Sequence, residues 1–546
     1  MSFDRADALR RFANEQFDVL VVGGGITGAG VALDAATRGL KVALVDKGDF
    51  ASGTSSKSSK LVHGGIRYLQ QKEIRLVYEA LAERQTLRKT APHLVRVLPF
   101  LLPVFTKDGI LPSKLARALG GMMWMYDLTG GLRIGKVHKR VTKEQAVEYM
   151  PTLPVERLAA SYIYYDARAD DARLTLAIAR TAADHGAAVA NYATLTGLLK
   201  DGAKVCGATV TVDGKPIEIR ARTVVNATGV WADEVRAIDE GSEPDSIRPA
   251  KGIHITVPWS LVRNSIAVVV PVPKDRRSVF VVPWGDDGTG DYQFTYIGTT
   301  DTDYEGPLDD PQCTPEDIAY LLRAINASVT STITEQDVLG TWAGLRPLVK
   351  AASSERTADL SRRHSVKTSA GGVITVTGGK LTTYRRMAAD ATDVVVDQLG
   401  LGGKSRTKRV TLHGTTGWDA AGVSEHLSSR YGGDAREVLA LAADADLARP
   451  IAPGLPYLRA EVVYAVRNEM ACTVDDVLSR RTRARLLARD TSADIAADVA
   501  ELMAPELGWD ADERRRQVEH YRALVTTERQ AAGLPETALD ASIDRS

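Results

Sequence analysis

The sequence predicts an α/β fold joined to a second, antiparallel-sheet domain and a helical C-terminal domain, and three observations predict it. The first is Val19-Leu20-Val21-Val22-Gly23-Gly24-Gly25-Ile26-Thr27-Gly28-Ala29-Gly30, an apolar run opening into glycines. Asp46 follows about twenty residues later, at the end of a second apolar run, Val42-Ala43-Leu44-Val45. That is the strand–turn–helix–strand layout of a dinucleotide site. The second observation is the change to alternating apolar segments from Ile247 to about Pro347. The third is the Ala, Arg and Glu periodicity through Ala460–Leu487, which reads as helix.

In the first unit, Gly23 allows the tight turn, Gly25 lets the backbone approach a pyrophosphate, and Gly28 lets the helix pack closely on its strand. The helix N-terminus then offers N–H groups and the positive end of its dipole to phosphate. Asp46 is placed to accept hydrogen bonds from a ribose diol. The small-residue segment Asp49–Lys60 runs without a break into Leu61-Val62-His63-Gly64-Gly65-Ile66-Arg67-Tyr68. It reads as a loop wrapped on a ligand, because small hydroxyls and glycines permit close backbone approach.

Residues from about Leu94 to Thr152 read as a helical insertion, and Arg173–Asp184 as a helix ending at Gly186. Strands are expected at Ala187–Asn191 and Val205–Val212, with Asp213-Gly214 as a hairpin turn. Val224–Gly229 reads as a buried strand running into a glycine. The antiparallel domain should contain strands Gly252–Val257, Ile266–Val270, Val279–Pro283 and Tyr292–Gly298. Val373–Thr377 followed by Gly378-Gly379-Lys380-Leu381-Thr382-Thr383-Tyr384-Arg385 is a second strand–glycine–helix start. A Gly/Lys/Arg-rich connector near Leu401–Arg409 leads to the helical domain. The expected boundaries are 15–93, 160–246 and 345–398 for the dinucleotide domain, 94–159 and 247–344 for the cap, and 405–546 for the helical domain. Asp510-Ala511-Asp512 is no calcium loop, since Arg515 stands where glycine is required.

The 546 residues carry 69 Lys+Arg against 69 Asp+Glu, a balance that argues against nucleic acid as a partner. No apolar run approaches the ~20 residues of a spanning helix. The start of the sequence carries acids and no apolar signal core. Cys206, Cys313 and Cys472 are widely separated, which points to a reducing compartment. Without a Cys-x-x-Cys pair, in-chain iron–sulfur and c-type haem carriers are excluded.

Gly23–Asp34 with Arg38-Gly39 resembles the first signature of the FAD-dependent glycerol-3-phosphate dehydrogenases. Asp49–Tyr68 resembles that family's flavin loop, Gly378–Ala388 its second signature, and Ala460 to Arg481 its C-terminal domain. The resemblance covers nearly the whole chain. It implies a D-amino-acid-oxidase type of FAD-binding fold, and oxidation of sn-glycerol 3-phosphate to dihydroxyacetone phosphate, with a respiratory quinone reoxidising the flavin.

It also implies roles. FAD would be held by Gly23, Gly25, Gly28, Asp46, Ser52, Gly53, Thr54 and His63, with Ala227, Gly229 and Lys380 at its other end. A cation at Lys380 would stabilise the anionic reduced flavin. The substrate phosphate would meet Arg346 and Arg362, with Arg67 and Lys380 nearby and hydroxyl contacts from Tyr68 and Thr382. Arginine suits this role because its planar fork binds phosphate oxygens bidentately. Removing the alcohol proton needs a base, and histidine titrates nearest neutral pH. Of the nine histidines, His254 and His63 are well placed, and His254 is favoured because its strand should face the substrate. Arg346 would assist electrostatically. The Thr299-Thr300-Asp301 turn reads as structural support.

A quinone is lipid-soluble, so peripheral contact with the cytoplasmic face of the cell membrane is expected. The segment Leu111–Tyr126, basic and then rich in Met, Trp and Tyr, suits a monotopic contact, against the alternative of a buried helix hairpin. The basic run Arg480, Arg481, Arg483 and Arg485 reads as solvated or paired with Asp475 and Asp476. Oxygen instead of quinone as acceptor, an amine or amino-acid oxidase, and a non-catalytic flavin sensor remain alternatives; a homodimer is left open. No metal site is expected.

Overall fold

The apolar segments on either side of the glycine turn become parallel neighbours. Gln16–Val22 pairs with Val42–Val45 on one side, Val22 opposite Val45, and with Lys215–Asn226 on the other, Val22 opposite Asn226. A computed structural model describes residues 3–65, 73–107, 113–242, 244–275, 277–286, 292–350, 364–420, 422–537 and 539. In it the first sheet runs Ser365–Thr368, Ile374–Thr377, Lys215–Asn226, Gln16–Val22, Val42–Val45, Ala188–Ala190, extended by the antiparallel pair Thr194–Asp201 and Lys204–Val212. Asp213 and Gly214 both take positive φ, +49° and +74°, as a two-residue hairpin turn of the right hand demands.

Helix Ile26–Thr37 lies between helices Asp171–Asp184 and Tyr384–Leu399 over this sheet. Its small residues make that layer thin: a Cβ on Gly30 would stand 2.8 Å from the Tyr384 ring. The shared core is Val, Leu, Ile and Ala from strands buried on both faces, as a parallel sheet requires.

The second sheet holds ten strands among the described residues. Its main path is Thr302–Asp303, Ile247–Pro258, Tyr292–Gly298, Ser278–Asp286, Ala267–Pro271, Arg96–Phe105, Leu158–Arg168, Leu61–Val62. Gly340–Val349 also pairs along Ile247–Pro258. This sheet takes in Leu61–Val62, residues 160–168 of the strand Leu158–Arg168 and residues 345–349, which the sequence-based boundaries assign to the other domain.

One expectation is corrected. The stretch from Leu94 is not helical throughout, because Arg96–Phe105 is a strand paired antiparallel with Leu158–Arg168. A short apolar run is ambiguous between buried strand and buried helix, and Pro99 and Pro103 cannot donate within a helix. Helices Ser113–Thr129 and Lys143–Tyr149 follow it. None of the described helices is long and apolar enough to cross a membrane.

The C-terminal helices, from Glu425–Tyr431 to Ala511–Ala531, close on two apolar clusters, the larger of them shared with Phe294 of the second sheet. Asp510 caps the last helix by accepting the Glu513 N–H at 2.7 Å, which accounts for the acids that mimic a calcium loop. The basic run is not solvated. Arg480 pairs with Asp475 and Asp476 but also with Asp49, and Arg481 grips Asp49 with two nitrogens at 2.7 and 2.8 Å. Arg483 pairs with Asp170 and Asp171, and Arg485 with Asp475 and Glu528. Burial alone would raise the Asp49 pKa, and the Arg481 and Arg480 guanidiniums outweigh it, holding it below the ordinary carboxylate range. Asp49, Asp170 and Asp171 come from outside the C-terminal domain, so that part of the charge balance was invisible within the run itself.

Candidate active site

Three loops meet where the parallel strands end. The turn at Gly23 leaves Gln16–Val22, the turn at Ala227–Gly229 leaves Lys215–Asn226, and Gly378–Lys380 leaves Ile374–Thr377. These strands are adjacent and parallel, so their carboxyl ends share one edge, the position at which open α/β sheets bind ligands.

Gly23 takes φ +107°, and a Cβ there would lie 2.6 Å from the Ala227 carbonyl oxygen. A Cβ on Gly28 would lie 1.8 Å from the Gly23 oxygen, so no other residue fits the turn as built. The first helical turn after Gly25 carries no acid, leaving the positive end of the helix for a pyrophosphate. Asp46 accepts the Gly24 N–H at 2.6 Å and the Gly48 N–H at 2.8 Å. Enclosure pushes its carboxyl pKa up to about 6, against the opposing pull of those two N–H groups. A cradle with a bare helix end and a carboxylate at the second strand fits FAD.

The loop from Asp49 runs from this cradle to the second sheet. Ser55 accepts the Ile26 N–H at 2.9 Å, a contact the sequence reading missed in favour of Ser52, Gly53 and Thr54. Ser52 donates its backbone N–H to Asp49, Gly53 lies against the Trp231 ring, and the Thr54 hydroxyl donates to the Leu345 oxygen. Asn226 accepts from Thr228 and so shapes the turn into Gly229.

The second sheet carries the candidate base and the candidate phosphate-binding cation. Alternation puts Ala250, Gly252 and His254 on one face, and the antiparallel register puts Arg346, Gly344 and Trp342 directly opposite them. His254 therefore stacks on Trp342, ring centroids 4.7 Å apart and planes 8° from parallel. Its other neighbour is Gly298, where any Cβ would strike the imidazole. The flavin loop covers this face. Gly344 admits it, since a Cβ there would lie 2.5 Å from the Lys57 oxygen. Trp342 donates to the Ser58 oxygen, Tyr296 to the Ser59 oxygen, and the Ser59 hydroxyl meets His254 Nε2 at 2.9 Å.

His254 is 2 % exposed, and Nδ1 has no hydrogen-bond partner among the described residues. Burial, then the positive charges of Lys60 and Arg346, hold its pKa well below the ordinary imidazole value, so the ring is neutral at pH 7. Arg346 is held by Thr299 Oγ1 at 3.2 Å, the Thr300 oxygen at 3.1 Å and Asp301 at 3.3 Å. The Thr299-Thr300-Asp301 turn thus anchors this guanidinium.

Thr382 is buried and bonded to the His63 backbone, joining the second signature to the flavin loop. The His63 ring meets Phe280 edge-on at 5.9 Å. Lys380 stands at the start of the turn Leu381–Thr383 and accepts the Thr383 N–H with its carbonyl. Arg67, Tyr68 and Arg362 lie outside the described residues. Sequence reasoning missed Trp342, Gly344 and Ser59. The spacing Trp342, Gly344, Arg346 was the available signal, since alternate residues of a strand share a face.

Residues 18–385 match the FAD dependent oxidoreductase family, and residues 394–514 match the C-terminal domain of alpha-glycerophosphate oxidase. A glycerol-3-phosphate dehydrogenase of Mycobacterium leprae is 42% identical over 545 residues, covering 96% of this chain and 90% of that protein. The human mitochondrial glycerol-3-phosphate dehydrogenase is 38% identical over 93% of this chain and 73% of its own length. The glycerol-3-phosphate dehydrogenase of Bacillus halodurans, solved in complex with FAD, superposes with a TM-score of 0.76 at 30% identity, over 96% of this chain and 97% of that one. With both family models in sequence order and relatives matched over nearly its whole length, this chain belongs to the FAD-dependent glycerol-3-phosphate dehydrogenase family, with FAD as its cofactor.

Proposed function

We propose that the protein oxidises sn-glycerol 3-phosphate to dihydroxyacetone phosphate and passes the electrons to a respiratory quinone at a membrane surface. The observation that carries this reading is a buried neutral imidazole, His254, sharing a sheet face with an anchored cation, Arg346, beneath the flavin loop. The relationship to glycerol-3-phosphate dehydrogenases at 42% identity supports the choice of substrate.

Bound FAD supplies the two-electron acceptor for the hydride on the secondary carbon. In the tautomer that donates Nε2–H to Ser59 Oγ, His254 keeps its lone pair on Nδ1 and would take the hydroxyl proton there. Arg346 holds the phosphate dianion and favours the developing alkoxide, its fork fixed in advance by Thr299, Thr300 and Asp301. Lys380, at the end of the third parallel strand, adds positive charge on the flavin side. Arg67, Tyr68 and Arg362 complete the phosphate site in this reading.

The acceptor reading draws on an apolar surface. Trp124 (55 % exposed), Met125 and Leu128 (70 % exposed) project from helix Ser113–Thr129, and Ile74 and Tyr78 are exposed on helix Ile74–Thr90, which packs against it. Arg133 lies over the Tyr78 ring at 4.6 Å, and Arg117, Lys139 and Arg140 are exposed nearby in the chain. Exposed aromatic and aliphatic groups with flanking cations suit the interface of an anionic bilayer. Met123 and Tyr126, by contrast, face the core. Leu111 and Pro112 lie outside the described residues.

The test is anaerobic mixing of the yellow protein with glycerol 3-phosphate, followed by quinone or oxygen. Bleaching with fast recovery only in quinone supports the proposal. Fast recovery in oxygen makes the protein an oxidase, the activity named for the C-terminal family model. Failure to bleach removes the substrate. Sedimentation with anionic vesicles, lost in Trp124→Ser with Leu128→Ser, tests the membrane contact separately.

A further inference from the structure

One buried side chain of the C-terminal domain reaches the loop at the reacting end of the site. Arg483 Nη2 lies 2.6 Å from Asp171 Oδ1 and 2.6 Å from Asp170 Oδ1, with both Arg483 and Asp171 fully enclosed. Asp171 in turn holds the flavin loop. Its Oδ2 accepts the Ser58 N–H at 2.9 Å and the Ser58 hydroxyl at 2.7 Å, and its Oδ1 meets Lys60 Nζ at 3.1 Å. Between Ser58 and Lys60 stands Ser59, whose hydroxyl contacts His254. Lys60 has φ +56°, a left-handed conformation that a residue with a Cβ keeps only when its surroundings impose it. Its Nζ also donates to the Ser56 oxygen and lies 4.7 Å from the centre of the Trp342 ring on which His254 stacks.

We propose that Asp171 and Arg483 are positioning residues: the C-terminal domain, through Arg483 and Asp171, holds Ser58–Lys60 in the one conformation that sets Ser59 against His254. This inference rests on the reaction proposed above. Nothing in Arg483 touches the base, so its effect must pass through the loop. The geometry gives the helical domain a catalytic consequence that its distance from His254 in sequence conceals. It also explains a dry ion cluster where an apolar interface would serve stability equally well.

His254 is faced by Ser59 and Lys60 from the loop, by Trp342 and Arg346 from one neighbouring strand, and by Tyr296 from the other. Burial pushes the Lys60 pKa down to about 8 while Asp171 opposes, so the residue is cationic at neutral pH. Lys60→Met should therefore raise the proton affinity of His254 and move the acid limb of the reduction rate to higher pH. Loss of packing alone would leave that limb in place, and an unmoved limb counts against the coupling.

The deciding experiment is a double-mutant cycle on the full-length, FAD-loaded protein, using Arg483→Lys, Ser59→Ala and the pair. Anaerobic flavin reduction and amide exchange at Ser58 are both measured. Arg483→Lys should speed exchange at Ser58 and slow reduction about tenfold with KM nearly unchanged, as a misplaced base requires. Ser59→Ala should slow reduction to a similar degree, and the double variant should be no slower than the slower single, because one path carries both effects. Effects that multiply, or a wild-type reduction rate in Arg483→Lys, overturn the proposal. Should Arg483→Lys fail to fold, Asp171→Asn replaces it in the cycle. Should glycerol 3-phosphate fail to bleach the wild-type flavin, the reaction itself is wrong. Exchange at Ser58 then still decides whether Arg483 holds the loop, and unchanged exchange refutes it.

Discussion

The glycine turn at Gly23–Gly28 and the sheet face at His254 and Arg346 are joined by one loop, with Ser55 at the first and Ser59 at the second. They are built in different ways. In the turn the backbone makes the site: Asp46 reaches Gly24 from only 22 residues away, and the fit depends on side chains that are missing. On the sheet face the side chains make it, and the partners are remote: His254 meets Ser59 across 195 residues. Binding a shared cofactor fragment thus uses local geometry, whereas placing the proposed acid–base group uses the assembled molecule.

The largest expected effect falls on the assembled side. His254→Asn keeps the shape of the ring pocket but removes the base, and the flavin reduction rate should fall about 10²–10⁴-fold with FAD retained. A wild-type rate by stopped flow would break the assignment. Next is Arg481→Gln, which leaves the buried Asp49 with Arg480 as its remaining cation among the described residues, beside the Asn191 amide. Denaturant unfolding should show a loss of about 3–5 kcal/mol, and a change under about 1 kcal/mol would mean that the cluster is not dry. Arg346→Ala should retain FAD while kcat/KM for the phosphorylated substrate falls about 10²–10³-fold. Normal kinetics would move the phosphate elsewhere.

Smaller effects sharpen the local side. Gly344→Ala brings a methyl to the Lys57 carbonyl and should cost about 1–3 kcal/mol of stability, read as a lower Tm of the holoprotein. Asp46 tests the cradle through pH. Its pKa is raised to about 6 from an ordinary 3.8, so the folded protein takes up a proton there as pH falls through 6. FAD needs the carboxylate as an acceptor, so binding must expel that proton. Apparent FAD affinity should then fall up to about tenfold per pH unit below pH 6 and stay level above it. A flat titration from pH 5 to 7 would place the ribose on another group.

Much of the first domain was legible because its signals are local. The strand, turn, helix and acid of the dinucleotide unit are covered by Gln16–Val22, Gly23–Gly25, Ile26–Thr37 and Asp46, and the strand at Tyr292–Gly298 was expected with those very ends. Arg96–Phe105 was misread because an apolar run of that length packs equally well as helix or strand, and only the partner Leu158–Arg168 decides. The pairing of Arg480 with Asp475 and Asp476 was legible from their nearness in sequence, whereas its contact with Asp49, and that of Arg481, appears only when Asp49 is folded against the run.

The sequence by itself determined the dinucleotide unit and the family signatures, and it singled out His254 and Arg346 as candidates because their types suit a proton and a phosphate. Backbone sterics and residue chemistry act over a few bonds, and they can be read in order along the chain. Only the tertiary structure decided that Trp342 and Ser59 frame the imidazole, that Thr299 to Asp301 hold the guanidinium, and that Arg483 grips Asp171 from another domain. Those relations are set by strand register and domain packing, which pair residues by distance in space and leave no spacing in sequence to betray them.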